Sequence, residues 1–187
     1  MDERVKRALQ QWPNVPDVYG WLALDRHGQW LLRGETITHP NVTAFINRNY
    51  ARQADGGYAF QNGPQKVHVA LALTPYIAHL SPTGDWTLHT GEPLGMADAV
   101  WLDAQGQLIL QRGADRAALD DRDLLAALAW VRGRDGAALD DTELERALTD
   151  AEPAAYLTVG GQTLRLGFLE KDTSLGERFG FIARPES

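Results

Sequence analysis

A chain of 187 residues with 44% hydrophobic content and six Trp, five Tyr and five Phe can bury the core of one ordinary domain or two small ones, which excludes global disorder. It has no cysteine, so disulfides, thiolate metal sites and a cysteine nucleophile are excluded together, and a reducing cytoplasm is the expected compartment. The net charge of −7 is uneven: residues 1–90 carry +1 and residues 91–187 carry −8, a balance that repels phosphate backbones and argues against nucleic acid as a partner.

The N-terminal stretch MDERVKRALQQ predicts a short amphipathic helix over Asp2 to Gln11, with Val5, Leu9 and Trp12 on one side. Pro13 and Pro16 end it. This segment lacks the apolar centre of a signal peptide and no apolar run approaches a membrane span, so no membrane partner is expected. Next, WLALDRHGQWLLRG (21–34) reads strand, Asp-x-x-Gly turn, strand. In HPNVTAFINRNY, Pro40 suits a first helical position, and Val42, Phe45, Ile46 and Tyr50 form the expected buried stripe. YAFQNGPQKVHVAL (58–71) predicts a hairpin turning at Asn62-Gly63, an Asn-Gly pair that favours a type I′ turn. Its second strand points Val67, Val69, Leu71 and Leu73 inward and Lys66 and His68 outward.

The second half repeats this order. VWLDAQGQLILQRG (100–113) shares the Leu-Asp-x-x-Gly-Gln core with the first hairpin, at an offset of 78 residues. YLTVGGQTLRLGF (156–168) predicts another hairpin, turning at Gly160-Gly161. Between them RGADRAALDDRDLLAAL (112–128) and RGRDGAALDDTELERAL (132–148) are near copies with a period of 20. In each, Asp120 or Asp140 reads as a helix N-cap, with Asp123 or Glu143 three positions on as in a capping box. The expected fold class is therefore α+β. Two similar small halves, each of antiparallel β-hairpins packed on helix, are related by an internal repeat. The boundaries are 1–16 for the N-terminal helix and linker, 17–82 for the first repeat, 83–99 for a connecting loop, and 100–187 for the second repeat with its duplicated helical segment.

Chemical signatures are few. There is no phosphate-binding or dinucleotide glycine motif, no His-Glu-x-x-His and no Gly-x-Ser-x-Gly, and the five histidines show no helical i, i+4 pair. The acidic runs at 120–123 and 140–143 read as helix caps. The linking stretch SPTGDWTLHTGEPLG (81–95) brings His89, Thr90 and Glu92 together in sequence. Elsewhere polar residues concentrate near one helix end and the following hairpin: Asn47, Arg48, Asn49, Gln61, Asn62, Gln65 and Lys66. Amides with Arg recognise carboxylate, phosphate or peptide backbone by directed hydrogen bonds, yet amides do not titrate.

YGWLALDRHGQW, FINRNY and FQNGPQKVHV together resemble an uncharacterised proteobacterial family, a domain of unknown function, over residues 19–70. The layout is similar to a second family of unknown function, with two small domains built from repeated motifs and a proposed role in signal transduction. The matching residues are Gly28-Gln29-Trp30, Gly34-Glu35-Thr36-Ile37 and Pro64-Gln65-Lys66-Val67. The resemblance implies a fold and no established activity.

The leading expectation is a non-enzymatic ligand- or peptide-binding regulatory module in the cytoplasm. Its site would comprise Asn47, Arg48, Asn49, Gln61, Asn62, Gln65, Lys66 and His89, with no catalytic residue, metal or cofactor assigned. One alternative is a small hydrolase or transferase using His89 and Glu92, with Arg48 holding an anion. Another is a self-assembling protein that pairs exposed strand edges, for instance as a homodimer.

Overall fold

The computed structural model describes residues 1–12, 14–140, 142–143, 145–146, 155–169 and 174–186. In chain order its elements are α1 (Glu3–Gln11), β1 (Val18–Leu24), β2 (Trp30–Leu32), β3 (Glu35–Thr36), α2 (Pro40–Asn49), β4 (Tyr50–Arg52), β5 (Tyr58–Asn62) and β6 (Gln65–Leu71). They continue with β7 (Tyr76–Leu80), β8 (Trp86–Leu88), β9 (Ala99–Leu102), β10 (Leu108–Arg112), β11 (Asp115–Leu119), a 3-10 turn at Asp121–Asp123, and α3 (Leu124–Leu128). β12 (Val131–Arg132), β13 (Tyr156–Val159), β14 (Gln162–Phe168) and α4 (Leu175–Phe179) complete the chain. These fold into two compact units, one from residues 1–75 with 174–187 and the other from 76–173.

The first unit is a six-stranded sheet in the order β3-β2-β1-β6-β5-β4, with β1 and β6 parallel and the remaining neighbours antiparallel. The second unit contains the same arrangement, β11-β10-β9-β14-β13-β12, again with a parallel central pair. The internal repeat is thus a full topological one. The antiparallel hairpins expected in each half are present, and a parallel pair joins them.

Local chemistry builds the two copies alike. Asp25 Oδ1 accepts from the N–H groups of His27 and Gln29, and Asp103 Oδ1 accepts from those of Gln105 and Gln107. Gly28 and Gly106 both take φ 79°, which a side chain would disfavour. The second hairpins differ in turn type. Val159 pairs with Gln162 around Gly160-Gly161, both at positive φ, as a type I′ turn requires. Asn62 pairs with Gln65, so the first unit's turn is Gly63-Pro64, shifted from the expected Asn62-Gly63. The proline ring forbids positive φ at the second position and so excludes type I′.

The core of the first unit gathers Leu22, Leu24, Trp30, Ile46, Tyr58, Val69 and Leu71. On α2 the expected stripe is partly corrected: Ile46 and Tyr50 are buried, but Val42 is 43% exposed. His68, expected outward, is buried, because the Tyr19 ring stacks on it at 4.2 Å and Asp17 meets its Nε2 at 2.8 Å. α1 buries Val5 and leaves Trp12 exposed. α4 opens with a Ser174–Glu177 capping box and ends on Gly180 in the left-handed region. The tail returns to the first sheet, where Ala183 accepts from the Leu71 N–H.

In the second unit β7 and β8 extend the repeat to eight strands, β7 lying parallel to β11. The stretch expected as a connecting loop therefore supplies β8 and an additional bridge between Thr87 and Pro93. Of the duplicated segments, the second forms the full capping box, Asp140 and Glu143 each accepting from the other's N–H. Residues 142, 143, 145 and 146 are helical, and the rest of the expected helix lies outside the described residues. In the first copy Asp120 caps through the Arg122 N–H, and the Asp123 carboxylate turns instead to the Leu80 N–H.

Candidate functional site

The amide-rich stretch forms two groups in the first unit. At the end of α2, Asn47 Oδ1 accepts from Trp30 Nε1 at 2.7 Å. Asn49, 2% exposed, donates to the Phe45 carbonyl and accepts from the Asp2 N–H at 2.7 Å. Arg48 Nε lies 3.4 Å from Asp2 Oδ1. On the β5–β6 hairpin, the pairs Gln61–Lys66 and Asn62–Gln65 face each other across the ladder. Gln61 is buried and donates to the Gly63 carbonyl, Asn62 is exposed, and Lys66 lies 3.9 Å from Asp17. His89 belongs to the other unit. Asn47→Ala removes the acceptor of a buried indole, so it should lower the unfolding free energy by about 1–2 kcal/mol. Asn62→Ala should stay within about 0.5 kcal/mol. Denaturant titration of both variants checks this.

A denser constellation of titratable groups sits in the second unit, positioned by the parallel β7–β11 pair. The Asp120 N–H extends that ladder onto the Ala78 carbonyl at 2.9 Å. This places the Asp120 side chain, 0% exposed, beside His79 of β7, with Nδ1 3.6 Å from Asp120 Oδ2. The 3-10 turn brings a second carboxylate: Asp123 Oδ2 lies 3.5 Å from the same nitrogen and accepts from the Leu80 N–H at 3.1 Å. Arg122 forks onto Asp120, with Nε 2.9 Å from Oδ1 and 3.1 Å from Oδ2 and Nη2 also bonded to Oδ2. The Asp120 carboxylate holds the Arg122 guanidinium pKa above its ordinary value. Two carboxylates on its Nδ1 side favour the Nδ1–H tautomer of His79 and leave Nε2 as the basic nitrogen. The His79 side chain is 32% exposed, so the group retains access to solvent.

Beneath it, burial and the neighbouring His79 push the His89 pKa down to about 3. Its Nδ1 accepts from the Ile77 N–H at 3.2 Å, and its backbone N–H donates to the Ile77 carbonyl at 2.7 Å. His89 is thus a neutral, fixed support of the β7 strand. Burial, with the charges of Asp115 and Glu92, raises the pKa of Tyr76 on the same strand.

His79, Asp120 and Asp123 carry the donor types that a divalent ion uses. Both Asp120 oxygens are already engaged by Arg122, whose charge opposes a cation, so the donor set fits proton transfer better. Sequence reasoning missed His79 because its carboxylates stand 41 and 44 positions away and reach it only through a parallel strand pair. The run at 120–123 gave the one available signal, and its reading as a cap was correct for Asp120 and incomplete for Asp123.

Fold and cluster together define a protein of two α+β units sharing one topology, the second bearing a His–Asp–Asp–Arg cluster. Over residues 1–186 the chain matches, and belongs to, the family described as "Protein of unknown function (DUF2946)". No curated protein matches it. Among solved structures, a DUF1285 family protein from Silicibacter pomeroyi DSS-3 is similar over 85% of this chain and 86% of its own, with a TM-score of 0.55 and 16% identity, a likeness of fold alone. A DUF1285 family protein from Shewanella baltica OS155 covers 57% of this chain and 89% of its own, with a TM-score of 0.39 and 12% identity. Among the described residues no helix is long and apolar enough to cross a membrane.

Proposed function

We propose that the second unit houses a general acid–base centre at His79, serving a hydrolase or transferase reaction. The observation that carries this reading is a carboxylate with no solvent exposure, Asp120, held by Arg122 beside a partly exposed imidazole. Clusters of interacting titratable groups of this kind concentrate at functional sites. In contrast to the hydrolase expectation built on His89, Glu92 and Arg48, the base here is His79, with His89 its buried support. His79 Nε2 takes the proton of an attacking water or alcohol and returns it to the leaving oxygen, while Asp120 and Asp123 stabilise the imidazolium formed between the two steps.

Charge selects the substrate class. Asp120, Asp121 and Asp123 against Arg122 leave the neutral-imidazole cluster net negative, so uncharged or cationic substrates are favoured over dianionic ones. Turnover of p-nitrophenyl acetate and butyrate against p-nitrophenyl phosphate tests the proposal. The wild-type chain should cleave the neutral esters, and His79→Gln should lose about 10²–10⁴-fold in rate at an unchanged melting temperature. Equal rates in the two proteins would overturn it.

A further inference from the structure

The two copies of the repeat differ at one edge. Leu22 pairs with Leu32 and Leu24 with Trp30, as Val100 pairs with Leu110 and Leu102 with Leu108, so Leu32 and Leu110 hold equivalent positions. On the third strand, Leu32 faces Glu35 and Leu31 faces Thr36, as Leu110 faces Ala117 and Ile109 faces Ala118. In the second unit this third strand is covered. β7 pairs with Ala117, Ala118 and Leu119, and Leu110 is 1% exposed within the core that β7 and β8 complete. In the first unit β3 ends the sheet, Glu35 and Thr36 are exposed, and Leu32 is 48% exposed.

The backbone of this edge is oriented for pairing. The Ile37 N–H donates inward to the Trp30 carbonyl at 2.8 Å, so strand alternation turns the polar groups of Thr36 and Thr38 outward. Thr38 stands where Asp120 stands in the second unit, and there the outward N–H donates to β7. Exposed strand edges of this sort accept an added strand.

We propose that the β3 edge of the first unit is a docking site for an extended segment of another protein, added parallel to β3 as β7 is added to β11. The repeat specifies the segment: about five residues, with aromatic or small apolar side chains on the Leu32 face, where β7 sets Tyr76 over Ala117 and Ala78 over Leu119, the counterparts of Glu35 and Ile37. A second copy of this chain is a poor occupant. Added parallel and in register, its β3 would bring Glu35 against Glu35.

The probe is a fluorescein-labelled peptide with the sequence of residues 74–82, TPYIAHLSP, titrated into the full chain and followed by anisotropy. Saturable binding is expected, with amide shifts at residues 35–38 in a ¹⁵N spectrum. Thr36→Pro, which deletes one outward N–H while leaving the inward ladder intact, should weaken binding at least tenfold. Leu32→Lys should do the same and serves if the proline variant fails to fold. Absence of saturation at millimolar peptide would overturn the proposal, as would binding that both folded variants retain. So would a concentration-dependent dimer, seen in sedimentation, that Thr36→Pro abolishes.

Discussion

Leu110→Ala is expected to lower the unfolding free energy by about 2–5 kcal/mol, whereas Leu32→Ala, the same position of the same repeat, should lower it by less than about 1 kcal/mol. The difference follows from what covers each side chain. Leu110 is 1% exposed in a core shared with Ala78, Leu88 and Leu94, so truncation removes apolar contact and leaves a cavity. Leu32 is 48% exposed and has little cover to lose. Two compact units need not unfold together, so urea titrations should be read for each unit, with the slope compared to wild type. Equal losses in the two variants would mean that the β7–β8 hairpin does not distinguish the copies.

His89→Gln should remove a pH dependence of stability. The folded-state pKa of about 3 lies below the ordinary value of 6.5, so between these limits the unfolded chain holds a proton that the folded chain refuses. The contribution of a neutral His89 is therefore complete above about pH 6.5 and declines as pH falls toward 3, with a slope of up to about 1.4 kcal/mol per pH unit. Glutamine keeps an acceptor for the Ile77 N–H and cannot titrate. Measured from pH 7 to pH 4, the unfolding free energy of the wild type should fall relative to that of the variant. Parallel curves would show that His89 reaches solvent and protonates in the folded state.

What could be read from the sequence was local. Asp25 and Asp103 announced their turns because the carboxylate, the glycine and the N–H groups they join lie within five residues. The 20-residue duplication was visible by inspection, and Asp140–Glu143 kept its capping box because both partners belong to one helical turn. Errors began where a partner is distant. Val42 has the right spacing for the α2 stripe but finds nothing above it, and His68 has the polarity of an outward residue but is covered by Tyr19 and Asp17. Glycine followed by proline at 63–64 overrode the Asn-Gly signal by fixing φ. The parallel pairs β1–β6, β9–β14 and β7–β11 leave no mark on spacing, and the last of them makes the candidate site. Asp123 illustrates the cost of that: its sequence position says cap, and its carboxylate serves β7.

Chemical rescue tests the acid–base role of His79 most directly. His79→Ala should be nearly inactive on p-nitrophenyl butyrate, and added imidazole should restore turnover in a saturable manner, with the restored rate rising as imidazole becomes neutral. In the wild type, imidazole should add no more than its own hydrolysis of the free ester. A His79→Ala variant that keeps full activity, or one that folds and gains no more from imidazole than free ester hydrolysis does, would contradict the assignment.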